Sequence, residues 1–282
     1  MTVVLQTARA RVEILPGLGG ALGRFTWDDR DVTRPTPAGT TEVLDAGCFP
    51  LVPYCNRIPN GCFGFAGHEV SLSPNLGDHP HALHGQGWRA PWTVESASDV
   101  EAVLVFEHAL GEWPWAYRAE QRFHLADDGL RIELSVTNTG DAAMPAGLGF
   151  HPYFPAPAGE RLRAGVTGVW MIDEDCLPTT LVEGAWRSDW AAGALTAVES
   201  LIDNCYTGWN GVATLTGPDG ATTTVTASPE CRWLHVYSPP GADFICVEPV
   251  ANRPDPFGGK DSGIRILAPG ETMSVWMKFA SA

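Results

Sequence analysis

Lysine is nearly missing from this chain. The only two are Lys260 and Lys278, and all basic residues number 18 against 33 Asp and Glu, a formal charge of −15. Affinity for a phosphate backbone comes from clustered Lys and Arg, so this balance excludes a general nucleic-acid binder and favours a neutral or cationic partner. Long apolar runs are absent as well: nowhere do about 18 apolar residues follow one another, so no membrane-spanning helix is expected. The first 17 residues show no uninterrupted apolar stretch behind a basic start, so no secretory leader is expected and the predicted compartment is the cytoplasm. The seven cysteines are odd in number and form no C-x-x-C, which argues for reduced, mostly buried thiols over a disulfide framework or a zinc knuckle. Helical periodicity is almost lacking too. Only Asp189–Ser200 has the spacing for a short helix, and Gly193 weakens it.

What the chain has in plenty is Gly (31), Pro (23) and Trp (11), spread over 282 residues without a fixed period. The lack of a period excludes collagen-like and low-complexity chains, and the many turn residues suit a large all-β domain. The length allows two average domains, but no repeat or linker divides the chain, and one domain over residues 1–282 is predicted. Period two is the prevailing pattern. Leu130, Ile132, Leu134 and Val136 alternate with Arg131, Glu133, Ser135 and Thr137, and Asp128-Gly129 turns into this strand from Tyr117–Leu125. A second hairpin reads from Gly211–Thr216 to Thr222–Ala227, and Met273–Phe279 alternates as a closing strand. Val94–Phe106, Leu162–Met171, Trp233–Tyr237, Phe244–Glu248 and Ile264–Leu267 bring the set to at least ten strands, more than one flat sheet usually holds. Two packed antiparallel sheets are predicted.

Three apolar stretches end in a polar residue next to Gly or Pro. In Gly147-Leu148-Gly149-Phe150-His151-Pro152, the proline holds His151 extended and is expected to end regular pairing there. In Phe244-Ile245-Cys246-Val247-Glu248-Pro249, Glu248 shares a strand face with Phe244 and Cys246, and an apolar surrounding makes a carboxylate a better base near neutrality. In His81-Ala82-Leu83-His84-Gly85-Gln86-Gly87-Trp88, two histidines precede a glycine-rich loop. His79, His81 and His84 lack a metal-ligand context such as H-x-x-E-H, and no metal is expected.

Together these segments resemble the aldose 1-epimerase (mutarotase) family. Asn56-Arg57-Ile58 with Gly61, Leu83-His84-Gly85, Phe150-His151-Pro152-Tyr153-Phe154, Asp203-Asn204-Cys205-Tyr206 and Val247-Glu248-Pro249 ahead of Pro254-Asp255 stand in the family's order. The resemblance implies a large antiparallel β-supersandwich of the galactose mutarotase type, no cofactor, and a small aldose as the partner. It implies Glu248 as catalytic base, His151 as catalytic acid, His84 beside the sugar ring oxygen, and Arg57, Asn56 and Asp203 as substrate-binding residues. His81 stands where members of the family often have Asn, and Gln86 where they have a second Gly, so the choice of sugar is where a departure is expected. Trp88, Tyr153 and Trp209 are candidates for stacking on the sugar.

Exchange of anomers needs a proton taken from the C1 hydroxyl and one given to the ring oxygen, and a carboxylate and an imidazolium suffice, each charge favouring the other. A glycoside hydrolase would use Asp203 and Glu248 as its two carboxylates but leaves His84 and His151 unexplained. A non-catalytic sugar-binding protein on the same fold would need no base. A phosphorylated hexose calls for a basic cluster or a helix N-terminus, and neither is evident, so neutral aldoses are preferred.

Overall fold

The computed structural model describes residues 1–281 except 185, 187 and 260. Two antiparallel sheets of eleven and nine strands dominate, and the described residues contain no α-helix. In the nine-stranded sheet the expected hairpin appears as Tyr117–Ala126 paired with Gly129–Asn138, which in turn pairs with Thr272–Ser281. Leu130, Ile132, Leu134 and Val136 are buried as their alternation predicts. The hairpin Val212–Thr216 with Thr222–Ala227 continues the same sheet.

Two long expected strands are each broken in two. Val94–Phe106 is the hairpin Thr93–Ala97 and Glu101–His108, because the Ser98 N–H donates to the Glu101 carbonyl and the Ser98 hydroxyl accepts from the Glu101 N–H, which closes a turn between them. Leu162–Met171 divides into Arg161–Ala164 in the nine-stranded sheet and Gly168–Ile172 in the eleven-stranded one, with Gly165 leading the chain across. Asp189–Ser200 forms no helix. Its Ala194–Leu195 pairs with Arg161–Leu162, and the Thr196 N–H donates to the Glu160 carbonyl, so tertiary pairing overrides a weak local preference.

The core lies between the sheets. Phe279 of the nine-stranded sheet meets Phe25 and Phe154 of the other at 6.0 and 5.9 Å between ring centres. Each is fully buried, which stabilises by about 1.5–3 kcal/mol per side chain. The centre of the eleven-stranded sheet consists of β1 (Cys48–Leu51), β2 (Gly149–Pro155), β3 (Ile202–Thr207), β4 (Trp233–Ser238) and β5 (Phe244–Val250), in the spatial order β1-β2-β5-β4-β3. One face of these strands sends Phe150, Phe154, Val236, Ile245 and Val247 into the core. The opposite face is covered by the segment between Val52 and Trp88 instead of by water, and this second covered face holds the site.

Candidate active site

Register places the polar residues in rows. His235 of β4 pairs with Glu248 of β5 on one side and Cys205 of β3 on the other, and His151 of β2 pairs with Phe49 of β1. Because Gly149 pairs with Val250 and Tyr153 with Cys246, His151 falls opposite Glu248. One row therefore runs Phe49, His151, Glu248, His235, Cys205. The next row on the same face, two residues along each strand, runs Tyr153, Cys246, Tyr237, Asp203. Pro152 does not end the strand as expected. It continues in pairing with Cys48, while the pairing to β5 skips from Gly149 to Tyr153, so the missing N–H interrupts one side only.

A cavity of about 270 Å³ opens over these rows, lined by His151, Glu248, Asp203 and His235 from the sheet and by Asn56, Arg57 and His84 from the covering segment. That segment is pinned by two residues in left-handed conformation. Asn56 (φ 60°) and His84 (φ 60°) clasp each other: the His84 N–H donates to the Asn56 carbonyl at 3.0 Å, and the Asn56 N–H donates to His84 Nδ1 at 3.1 Å. A ring nitrogen that accepts a backbone proton cannot carry one, so His84 is neutral with its proton on Nε2. Burial, with the nearby His151 ring, likewise pushes the His84 pKa well below its ordinary value. Gly85 (φ 73°) completes the turn, and a Cβ there would sit 2.2 Å from the Val52 carbonyl oxygen.

His151 Nε2 lies 3.4 Å from Glu248 Oε1, both side chains almost wholly buried. The imidazole is stacked between Phe49 and Tyr153 at 4.5 and 4.8 Å. The expected mutual stabilisation of charges is outweighed by desolvation. Burial pushes Glu248 well above the usual carboxylate range, helped by the Asp203 charge, and pushes His151 down to about 3, with the His235 ring adding to it. Burial thus favours the neutral form of each partner over its charged form. Asp203 behaves oppositely: against the cost of burial, Arg57 and His235 hold it below the usual range. Its Oδ2 accepts from Arg57 Nη2 at 2.8 Å, and its Oδ1 is 2.7 Å from His235 Nε2. Asn56 Oδ1 accepts from Arg57 Nη1 at 3.1 Å, which fixes the guanidinium further.

Six of the eight residues singled out in the sequence, Glu248, His151, His84, Arg57, Asn56 and Asp203, thus line one cavity. The other two do not. His81 Nδ1 accepts from the Asn60 N–H at 3.1 Å and steadies the turn behind Arg57. Trp88 is fully buried, its Nε1 donating to the Gly85 carbonyl, and it has no face left for a sugar. Trp209 lies in a separate cleft, so of the aromatic candidates only Tyr153 reaches the cavity. Sequence reasoning missed His235, Tyr237 and Arg34. For His235 a signal was present: it shares a strand face with Trp233 and Tyr237 and is flanked by the apolar Leu234 and Val236. His151, Cys246 and Glu248 also bring one nitrogen, one sulfur and one oxygen within 4.8 Å of one another, the one such donor group among the described residues.

The comparison that decides the family is a match of residues 1–280 to the model of the aldose 1-epimerase family. The chain belongs to the aldose 1-epimerase family. It is 35% identical over 263 residues to the uncharacterized protein YphB of Escherichia coli K12, covering 90% of each chain. A 106-residue stretch is 30% identical to the aldose 1-epimerase of the same organism, over 36% of this chain and 30% of that one. Among solved structures, a candidate aldose 1-epimerase of Escherichia coli K12 superposes with a TM-score of 0.93 at 32% identity, covering 100% of this chain and 99% of the other. A galactose mutarotase-like protein of Clostridium acetobutylicum shares the fold with a TM-score of 0.87 at 20% identity, covering 99% and 94%. The expected all-β galactose mutarotase-like architecture of this aldose epimerase family member is thereby shown.

Proposed function

We propose that this protein interconverts the α and β anomers of a free aldose, with Glu248 and His151 as the proton-transferring pair. The observation that carries this reading is their placement directly opposite each other on adjacent strands, 3.4 Å apart, in a buried cavity of monosaccharide scale. The carboxylate of Glu248 takes the proton of the C1 hydroxyl while the imidazolium of His151 gives one to the ring oxygen. The bond between C1 and the ring oxygen breaks, leaving the open-chain aldehyde. Rotation about C1–C2 presents the other face of the carbonyl, and both proton transfers reverse.

Ring opening converts the charged pair into the neutral one, and closure restores it. Both forms hold a single proton, so no exchange with solvent is needed within a cycle. Burial, by favouring the neutral pair, lowers the energy of the ring-opened stage. The Nε2–H of His84 donates to the sugar oxygen nearest it, and Arg57 and Asp203, locked together, offer donors and acceptors to the hydroxyls. Against a hydrolase, both oxygens of Asp203 are already engaged by Arg57 and His235.

Anomerisation of freshly dissolved α-D-galactose and α-D-glucose, followed by NMR, tests the proposal. Glu248→Gln and His151→Ala are each expected to lower the rate about 10²–10⁴-fold. A rate that both variants leave unchanged, or no acceleration by the wild type over a wide panel of sugars, overturns it.

A further inference from the structure

Arg34 is a cation in the cavity wall for which the proposed chemistry has no use. It lies outside every motif singled out in the sequence, and only the fold brings it to the site. Its guanidinium carbon sits 3.9 Å from the centre of the Tyr153 ring and 4.8 Å from that of Phe244, both cavity residues. Nη2 donates to the carbonyls of Leu44 and Ala46, which lie in and just after the short 3₁₀ turn Val43–Asp45. Nε is buried without a hydrogen-bond partner. Stacked on one side and tied on another, the fork has a fixed orientation.

The charges around it are unequal. Arg57 stands over Asp203 at one end of the row Tyr153, Cys246, Tyr237, Asp203, and Arg34 stands over Tyr153 at the other, three strand spacings of ~4.8 Å away. Arg57 is neutralised by Asp203 at 2.8 Å. No carboxylate among the described residues forms an ion pair with Arg34, whose hydrogen bonds go to neutral carbonyls. Glu248, the remaining acid of the cavity, is held toward its neutral form by burial. The cavity therefore carries an uncompensated positive charge inside a protein whose formal charge is −15. A partly buried cation without a counter-charge carries a desolvation cost, and an anion of the ligand relieves that cost, whereas a hydroxyl does so only in part. Guanidinium groups match carboxylate and phosphate oxygens in pairs.

We infer that the aldose taken by this site bears an anionic substituent, a carboxylate or a phosphate ester, which Arg34 receives while C1 and the ring oxygen lie at Glu248 and His151. This rests on the mutarotase reading and replaces the preference for neutral sugars, which followed from the lack of a basic cluster in the sequence. Arg34 is 23 residues from Arg57 in the chain, and they meet only across the cavity.

The test compares D-galacturonate, D-glucuronate and D-glucose 6-phosphate with D-galactose and D-glucose, by NMR anomer exchange and by calorimetric binding, for the wild type, Arg34→Met and Arg34→Lys. At least one anionic aldose is expected to exceed its neutral parent in kcat/KM by about 10- to 100-fold, the range of one hydrogen bond to a charged group. Whether the acid or the ester shows the preference distinguishes the two anions. Arg34→Met should abolish the preference and Arg34→Lys should recover part of it, with thermal melts confirming that both variants fold. Neutral sugars turned over as well as anionic ones, or Arg34→Met lowering both classes equally, overturns the inference and leaves the mutarotase reading standing. Should no aldose be anomerised, that reading fails, and calorimetry decides this one alone: anionic aldoses that bind no tighter than their parents overturn it.

Discussion

The two sheets are built on the same two-residue alternation, yet they treat charge in opposite ways. On the nine-stranded sheet, the face away from the core meets water, and its charges pair two residues apart along a strand, Arg118 and Arg122 with Glu120 and Arg131 with Glu133, or reach over an intervening strand, Arg118 with Glu95. On the central strands of the eleven-stranded sheet, the corresponding face is roofed by residues of the Val52–Trp88 segment. The acids there have left their ordinary ranges in opposite directions, Glu248 upward through burial and Asp203 downward, against burial, through Arg57 and His235. What separates a solvated strand face from a reactive one is the cover, because desolvation acts on a charge only where water is excluded.

The sharpest way to break this contrast is Glu248→Gln. Activity should fall about 10²–10⁴-fold. Stability should move the other way: a carboxyl whose folded pKa is raised stabilises fully below its unfolded pKa and loses that contribution as pH rises through the folded one. The variant should therefore melt higher than the wild type at neutral and alkaline pH, with the gap closing toward pH 4, as thermal denaturation across pH will show. Asp203→Asn should do the reverse by stranding Arg57, costing about 3–5 kcal/mol at pH 7. Since the folded pKa of Asp203 is depressed, its contribution is present above the unfolded pKa and lost as pH falls through the folded one, so the cost measured by chemical denaturation should shrink in acid.

Smaller effects sharpen the same comparison. Gly85→Ala meets both a left-handed φ and the Val52 carbonyl, and should cost about 1–3 kcal/mol while raising KM, because the His84–Asn56 clasp depends on that turn. On the solvated face, Arg118→Ala should cost no more than about 1 kcal/mol, and added salt should reduce even that. The pH–rate profile of the wild type should be a plateau wider than free Glu and His would give, since burial drives the acid limb down toward His151 at about 3 and the alkaline limb up with Glu248. A narrow bell centred between ordinary Glu and His pKa values would show that the cover excludes less water than the geometry implies.

Much of this was legible in the residues. Alternation at Leu130–Val136 marked the wet and dry faces of a strand, and Asp128-Gly129 marked its hairpin, because both signals are local. The placement of Glu248 on the face of Cys246 followed from the same period of two. Less legible was anything set by strands far apart in sequence. His235 looked like one more residue of a core strand, and its link to Asp203 required β3 and β4 to be neighbours. Trp88 resembled a sugar-stacking residue, but its environment is the inside of the covering segment. Val94–Phe106 read as one strand because the Ser98 turn interrupts an alternation that resumes on the other side.

By itself, then, the chain determined its β class, its family and the two residues proposed to transfer protons, since these rest on short-range periodicity and on motifs a few residues long. The tertiary structure decided the burial that pushes Glu248 up and His151 down, the neutrality of the Arg57–Asp203 end of the cavity and the unpaired charge of Arg34 at the other. These are properties of distance and of excluded water, and both arise only when β1 to β5 align their rows and residues from Val52 to Trp88 close over them.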